Sequence, residues 1–292
     1  MHDVDIMIIG HFAKDRLVVD GVGHIACGAA AYYGSIALRR FGVRVALVTR
    51  LHPDDFPLLE ELKQEGVQVF ATAAPETTGI ENFYDSADME RRTYRPIGFA
   101  GTIRREDIPD LAARVYLVSG IMSGEVEPPL PKWLATHGPV ALDVQGFIRF
   151  RENDSLVFRQ WSTMDADLAH VTYLKADRSE AEFLTGETDL HCAARKLAAY
   201  GPREIVVTQT SGVTVHADGE IYEASFTPRS LEGRTGRGDT CFTTYVGKRL
   251  SVSAEEACRF AAAITTLKQE QRGPWRGTVE EVEAFLAGKR GK

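Results

Sequence analysis

Along most of the chain, short and mostly apolar segments alternate with segments patterned for helices, and this alternation limits the possible folds more than any other feature. Val4–Gly10 reads as a first strand. Ala29–Phe41 reads as a helix, with Ala, Ile and Leu at helical spacing and Gly42 as its stop. Val45–Thr49 is the next strand and Asp54–Glu65 the next helix. Val115–Ser119, Val140–Asp143, Val171–Leu174 and Glu204–Thr208 follow, each closed by polar or glycine-containing turns. Runs of this kind suit strands buried on both faces of a parallel sheet. With helices such as Asp189–Tyr200 between them, they predict an α/β fold, a doubly wound and mostly parallel sheet flanked by helices. Ser253–Gln271 reads as a long Ala-rich helix and Val279–Leu286 as a last one.

One section departs from the alternation. Thr78–Tyr84 and Arg91–Pro96 are strand-like, with the turn-forming Asp85–Asp88 between them and no helix, which is a hairpin signal. Together with Arg16–Asp20 it predicts a small sheet projecting from the main body, either a plain surface hairpin or a lid.

A length of 292 residues allows one large domain or two. The formal charge of −7 argues against a nonspecific nucleic-acid binder, which would carry a basic face. No uncharged run approaches the roughly 18 residues of a membrane span. The longest, near Ile25–Leu38, suits a packed helix. The N-terminus lacks the basic start and long apolar stretch of a signal peptide, so a cytoplasmic location and no membrane partner are expected. Cys27, Cys192, Cys241 and Cys258 are scattered without a CxxC pair and read as buried free thiols. His11, His24, His170 and His191 have no paired ligand spacing. No G-x-G-x-x-G follows the first strand, which disfavours a dinucleotide-binding dehydrogenase.

The most informative stretch is Gly233-Arg234-Thr235-Gly236-Arg237-Gly238-Asp239-Thr240-Cys241-Phe242. Closely spaced glycines let several N–H groups converge, and the helix expected after Asp239 adds its positive end, making an anion site. A carboxylate beside such a site is electrostatically awkward unless it does chemistry. Asp239 would accept the proton of a substrate hydroxyl as that oxygen attacks a phosphate, while the Gly236–Gly238 amides stabilise the transferring charge. A helix-capping carboxylate, worth only about 0.3–1 kcal/mol, fits the same spacing, and spacing alone leaves both readings open.

The run resembles the C-terminal signature of the ribokinase-like (PfkB) carbohydrate kinases, D-T-x-G-A-G-D, matched here by Thr235, Gly236, Gly238 and Asp239. Arg237 stands where that family usually has Ala. Gly233 stands where it often has Asp, which weakens the case for a family-type monovalent-cation site. The resemblance spans nearly the whole chain and implies a single kinase domain over residues 1–292, with a β lid from about 11–22 and 75–100. It implies a substrate-binding Asp15 five residues after Gly10, and a substrate loop at Gly28, Ala29 and Tyr33, where Ala replaces a Gly and Tyr an Asn. Asp177-Arg178-Ser179-Glu180 is similar to the N-x-x-E element, implying Mg²⁺ held at Glu180, through water, and at Asp177. Thr208 and Gly212 match a nucleotide-contacting loop, with Thr235, Gly236 and Gly238 completing the ATP site. Asp143-Val144-Gln145 through Arg149 looks like the D-x-Q-x-x-x-R run of the myo-inositol kinase branch and points to Gln145 and Arg149 as substrate contacts.

The expectation is thus transfer of the γ-phosphate of MgATP to a hydroxyl of a small-molecule sugar or cyclic polyol. Asp239 serves as base, with Gly236, Arg237 and Gly238 at the transferring group. A nucleoside kinase using Tyr32, Tyr33 or Phe99 as a base slot, and a sensor that binds without turnover, are the alternatives. Some relatives dimerise through the lid, so a homodimer is a further expectation.

Overall fold

The structure is a computed structural model that describes residues 2–85 and 88–289. Its strands are β1 (Val4–Ile9), β2 (Ala13–Val19), β3 (Val22–Gly28), β4 (Val45–Leu51), β5 (Gln68–Ala73), β6 (Gly79–Asp85), β7 (Asp88–Ile97) and β8 (Ala113–Val118). They continue as β9 (Val140–Asp143), β10 (Arg149–Glu152), β11 (Ser155–Phe158), β12 (Tyr173–Asp177), β13 (Glu204–Gln209), β14 (Gly212–Ala217) and β15 (Glu220–Ser225).

Nine of them form one sheet in the order β15-β14-β13-β12-β9-β8-β1-β4-β5. From β5 through to β13 every neighbouring pair is parallel. The chain winds outward from β1 in both directions, so β1 and β8 flank the topological switch point, where the carboxyl ends of parallel strands leave a crevice. The central strands are apolar through their middles because helices cover both faces, with charged residues mostly toward their ends. Ile6, Met7, Ile8 and Ile9 are fully buried, as are Leu117, Val118, Leu142 and Leu174. The helices Ala29–Arg40, Arg237–Arg249 and Ala254–Gln269 pack on one face around Ile36, Phe242, Tyr245 and Ala261.

The separate four-stranded sheet runs β3-β2-β6-β7. It contains the expected hairpin, although residues 86 and 87 of the Asp85–Asp88 turn lie outside the described residues. Buried Glu81 ties β6 to β2 and β7 by accepting from Arg16 and Arg95.

Several local readings differ from the structure. The Ile25–Leu38 run is not one helix. Its first residues belong to β3, and the helix starts only at Ala29, whose φ of +66° forces the chain to turn there. The helix expected over Asp54–Glu65 is a 3₁₀ turn (Pro53–Leu59) followed by one short α-helix (Glu60–Gln64), since Pro57 lacks the N–H that a continuous α-helix needs. The strand expected at Val171–Leu174 sits later, at Tyr173–Asp177, because Lys175 and Asp177 interrupt its apolar character. Cys241 and Cys258 are buried thiols as expected, whereas Cys27 is half-buried and Cys192 exposed.

Candidate active site

A cleft of about 200 Å³ opens at the switch point, at the carboxyl ends of the parallel strands. Asp15 and Ala13 enter it from β2, Ile80 and Asn82 from β6, and Ser119–Ile121 from the end of β8. Gln145 follows β9, Lys175 and Asp177 end β12, and Thr208 lies near the end of β13. Residues 234–239 close the opposite wall.

That wall has the geometry its glycines suggest. Gly236 has a φ of +79°, left-handed backbone that a side chain would strain, and a Cβ there would collide with the Tyr33 ring. The turn delivers the chain into the helix Arg237–Arg249. The amide of Thr240 donates to Gly236 O at 2.9 Å, whereas those of Gly238 and Asp239 have no acceptor among the described residues, as expected for a helix's first turn. Two unpaired N–H groups therefore face the end of a cleft that also receives Arg234 and Arg237. Thr208 and Lys175 lie beneath, with a Cβ built on Gly238 falling 3.8 Å from Thr208 Oγ1 and 3.6 Å from Lys175 Cε.

Asp239 lines the cleft beside these amides. Burial raises its pKa above the usual carboxylate range, while Lys175, Lys268 and Arg149 pull it back down. A carboxyl held this way is a stronger base, once ionised, than a solvated aspartate.

Lys175, which the sequence reading passed over, is the electrostatic centre. Its Nζ donates to Asp143 Oδ1 at 3.1 Å and Glu180 Oε2 at 3.3 Å, and all three side chains are at most 5% exposed. Burial alone would lower its pKa, but Asp143 and Glu180 raise it well above the ordinary lysine range, so it stays charged. The signal was present as a lysine inside the apolar run Tyr-Leu-Lys-Ala, where a charge must be paired or used.

Glu180 and Asp177 form a reciprocal capping box. Asp177 Oδ1 accepts from Glu180 N at 2.8 Å, and Glu180 Oε2 accepts from Asp177 N at 2.7 Å. Glu180 is fully buried, and its Oε1 has no hydrogen-bond partner, although Arg149 Nη2 lies 3.7 Å away. Among the described residues no group of three or more His, Cys, Asp or Glu could hold a metal directly. The orphaned Oε1, with Asp177 exposed to the cleft beside it, fits an ion approached through its water shell. Arg149, expected at the acceptor, lines the cleft and also reaches toward Glu180, which is buried behind the lining.

The acceptor end is built around Asp15, whose Oδ1 accepts from Ile80 N at 2.8 Å. Gly28 permits this placement, because a Cβ there would stand 2.6 Å from Asp15 Oδ2. Gln145 lines the cleft, and its Nε2 donates to Gly120 O and Ile121 O, both at 3.2 Å, which fixes the side-chain amide there. Below, fully buried Glu125 accepts from the amides of His11, Ile121 and Met122 and fixes the same loop. Burial pushes its carboxyl up to about 8 against those bonds. Ala29 and Tyr33 line the cleft, while Tyr32 and Phe99 do not. Gly212 also lies outside it, buried at the start of β14 where Ala224 O leaves no room for a side chain. Its place is explained by strand pairing.

An acid beside a helix N-terminus, with a second carboxylate lining the same cleft, is an arrangement that suits a small-molecule phosphotransferase. No protein-family model matches the sequence. Among solved structures, the chain is similar to a sulfate complex of a pyrophosphate-dependent kinase in the ribokinase family, at 37% identity over 93% of this chain and 97% of that one, with a TM-score of 0.88. It is similar also to a pyrophosphate-dependent myo-inositol-1 kinase converted into a myo-inositol-3 kinase by two substitutions, at 35% identity over 97% and 98% of the chains, TM-score 0.87. The ribokinase of Arabidopsis thaliana, complexed with ribose and ATP, shares the fold at 20% identity over 97% and 98%, TM-score 0.75. The chain belongs to the ribokinase family, and it is a kinase.

Proposed function

We propose that the protein transfers a phosphoryl group to a hydroxyl of a cyclic polyol of the myo-inositol type, with pyrophosphate as donor. Asp15 and Gln145 hold the acceptor's hydroxyls, and Asp239 takes the proton of the attacking one. The acceptor oxygen forms the new P–O bond as the bridging oxygen of the donor leaves as orthophosphate. The Gly238 and Asp239 amides, with Lys175, meet the charge that spreads over the transferring group. Mg²⁺ carried by the donor supplies charge neutralisation, with Asp177 and Glu180 as the residues to hold its water shell. The four-stranded sheet is the lid of this single domain, reaching to residue 28 through β3 and so further than the expected 11–22 and 75–100, and excludes water when closed. A cytoplasmic location belongs to the same reading; among the described residues no helix is long and apolar enough to cross a membrane.

The observation that carries this proposal is Asp239 beside two unpaired amides in the cleft that Asp15 shares. The donor assignment draws on the pyrophosphate-dependent relatives and on the lining of the donor end, where Arg149, Lys175, Arg234 and Arg237 gather with no apolar slot for a base. ATP is the second donor reading, favoured by a neighbouring hollow lined by Leu267, Trp275 and Phe285, which Gln271 joins to the Gly233 turn. A nucleoside acceptor is less favoured, because Tyr33 is the one aromatic ring lining the cleft among the described residues. The apolar Val22 and Ile25, 73% and 55% exposed on edge strand β3, suit the expected pairing of two lids in a homodimer. A phosphorus NMR assay crossing pyrophosphate and ATP with myo-inositol, pentoses, ketohexoses and nucleosides tests the reading. It predicts an inositol monophosphate with pyrophosphate; turnover of nucleosides but not polyols overturns it.

A further inference from the structure

Lys268 lies in the last turn of the helix Ala254–Gln269, is 0% exposed, and has entered so far only as one of the charges that act on Asp239. A buried lysine ordinarily faces a carboxylate. Among the described residues this one ion-pairs with none. Its Nζ donates instead to two main-chain carbonyls, Gly233 O and Thr235 O, with the Tyr33 ring face 4.7 Å away. Both carbonyls belong to the turn whose other side offers the Gly238 and Asp239 amides to the cleft. The two facts are one piece of geometry, since a loop that aims successive N–H groups one way gathers its C=O groups behind. The back of the phosphate loop is therefore an electronegative hollow that requires a positive charge. Gly233 completes it, for any Cβ there would strike the Gln271 and Lys268 carbonyls, and its amide donates to Gln269 O at 2.9 Å.

We infer that Lys268 is the built-in counter-ion of the phosphate loop, a positioning residue whose ammonium occupies the place a free monovalent cation would otherwise fill. It holds the Gly233–Gly236 turn so that the amides beyond it face the transferring phosphoryl group. Burial draws the Lys268 pKa down to about 7, and the nearby Asp239 carboxylate acts the other way. The carbonyls favour the protonated form further, because an ammonium has three donors and no acceptor. The inference rests on the loop being the phosphoryl site, not on the identity of donor or acceptor.

The test uses the full-length protein and its phosphotransferase turnover. Wild-type kcat is expected to be the same within twofold in buffers of K⁺, NH₄⁺, Na⁺ or choline alone. Lys268→Ala is expected to lose at least tenfold in kcat in choline, with the acceptor KM changed less than threefold, and to regain activity with NH₄⁺, K⁺ or methylammonium. A lysine that merely filled space would lower thermal stability in this variant without any cation rescue. A wild-type enzyme that needs K⁺, or a Lys268→Ala enzyme that no small cation restores, overturns the inference. If Lys268→Ala does not fold, the wild-type measurement in choline stands alone as the decision. Failure of the kinase reading itself would show differently, as no phosphoryl transfer by wild type in any salt.

Discussion

Replacing Lys175 by Met tests the electrostatics of the site from two sides. The side chain is removed from between Asp143 and Glu180, at 3.1 and 3.3 Å from their oxygens, in a place water scarcely reaches. At an effective dielectric near 20, opposite charges about 3 Å apart attract by roughly 5 kcal/mol, while stripping water costs several kcal/mol per ion. The intact triad is therefore close to neutral for stability, and breaking it leaves the desolvation cost unopposed. Lys175→Met is expected to lower unfolding stability by about 3–5 kcal/mol, read as a shift in denaturant midpoint at unchanged m. Adding Asp143→Asn removes one of the stranded charges and should recover part of the loss. The second side is catalytic. Burial raises the pKa of Asp239, and Lys175 is the largest of the influences that lower it. The base form is lost as pH falls through that raised pKa. Without Lys175 the acid limb of the pH–rate profile moves to higher pH. A loss below about 1 kcal/mol, or an acid limb that does not move, would refute the argument.

Other perturbations have signs fixed by local geometry. Ala29 holds a φ of +66°, where a Cβ costs roughly 1–2 kcal/mol, so Ala29→Gly should raise the melting temperature. Gly28→Ala places a Cβ 2.6 Å from Asp15 Oδ2 and should raise acceptor KM about tenfold or more, with the folded state intact by circular dichroism. Gly236→Ala forces a side chain into the Tyr33 ring at positive φ and should reduce kcat without a comparable change in acceptor KM.

The core sheet was legible because its strands are buried on both faces and leave apolar runs, as in Ile6–Ile9 and Val115–Val118. The edge strand β3 was not, since its outer residues are exposed and its apolar end runs without a break into the helix that follows. Nor was the hairpin β10–β11, whose Arg149, Arg151 and Glu152 break any apolar run. In the site, Asp239 was named from its glycine-rich loop, and Asp15, Gln145, Arg149 and Thr208 from the family resemblance; the structure brings all five to one cleft. Lys175 and Lys268 were missed for a physical reason. Their positions are set by pairing across the fold, Lys175 with Asp143 32 residues away and Lys268 with Gly233 35 away, and no local window reports such partners.

The most direct measurement is turnover of Asp239→Asn beside its affinity for a non-transferable donor analogue. If this acid removes the acceptor's proton, kcat falls by about 10²–10⁴ while analogue binding stays within threefold of wild type. Wild-type turnover in that variant, or a collapse of analogue binding large enough to account for the lost rate, would contradict the assignment.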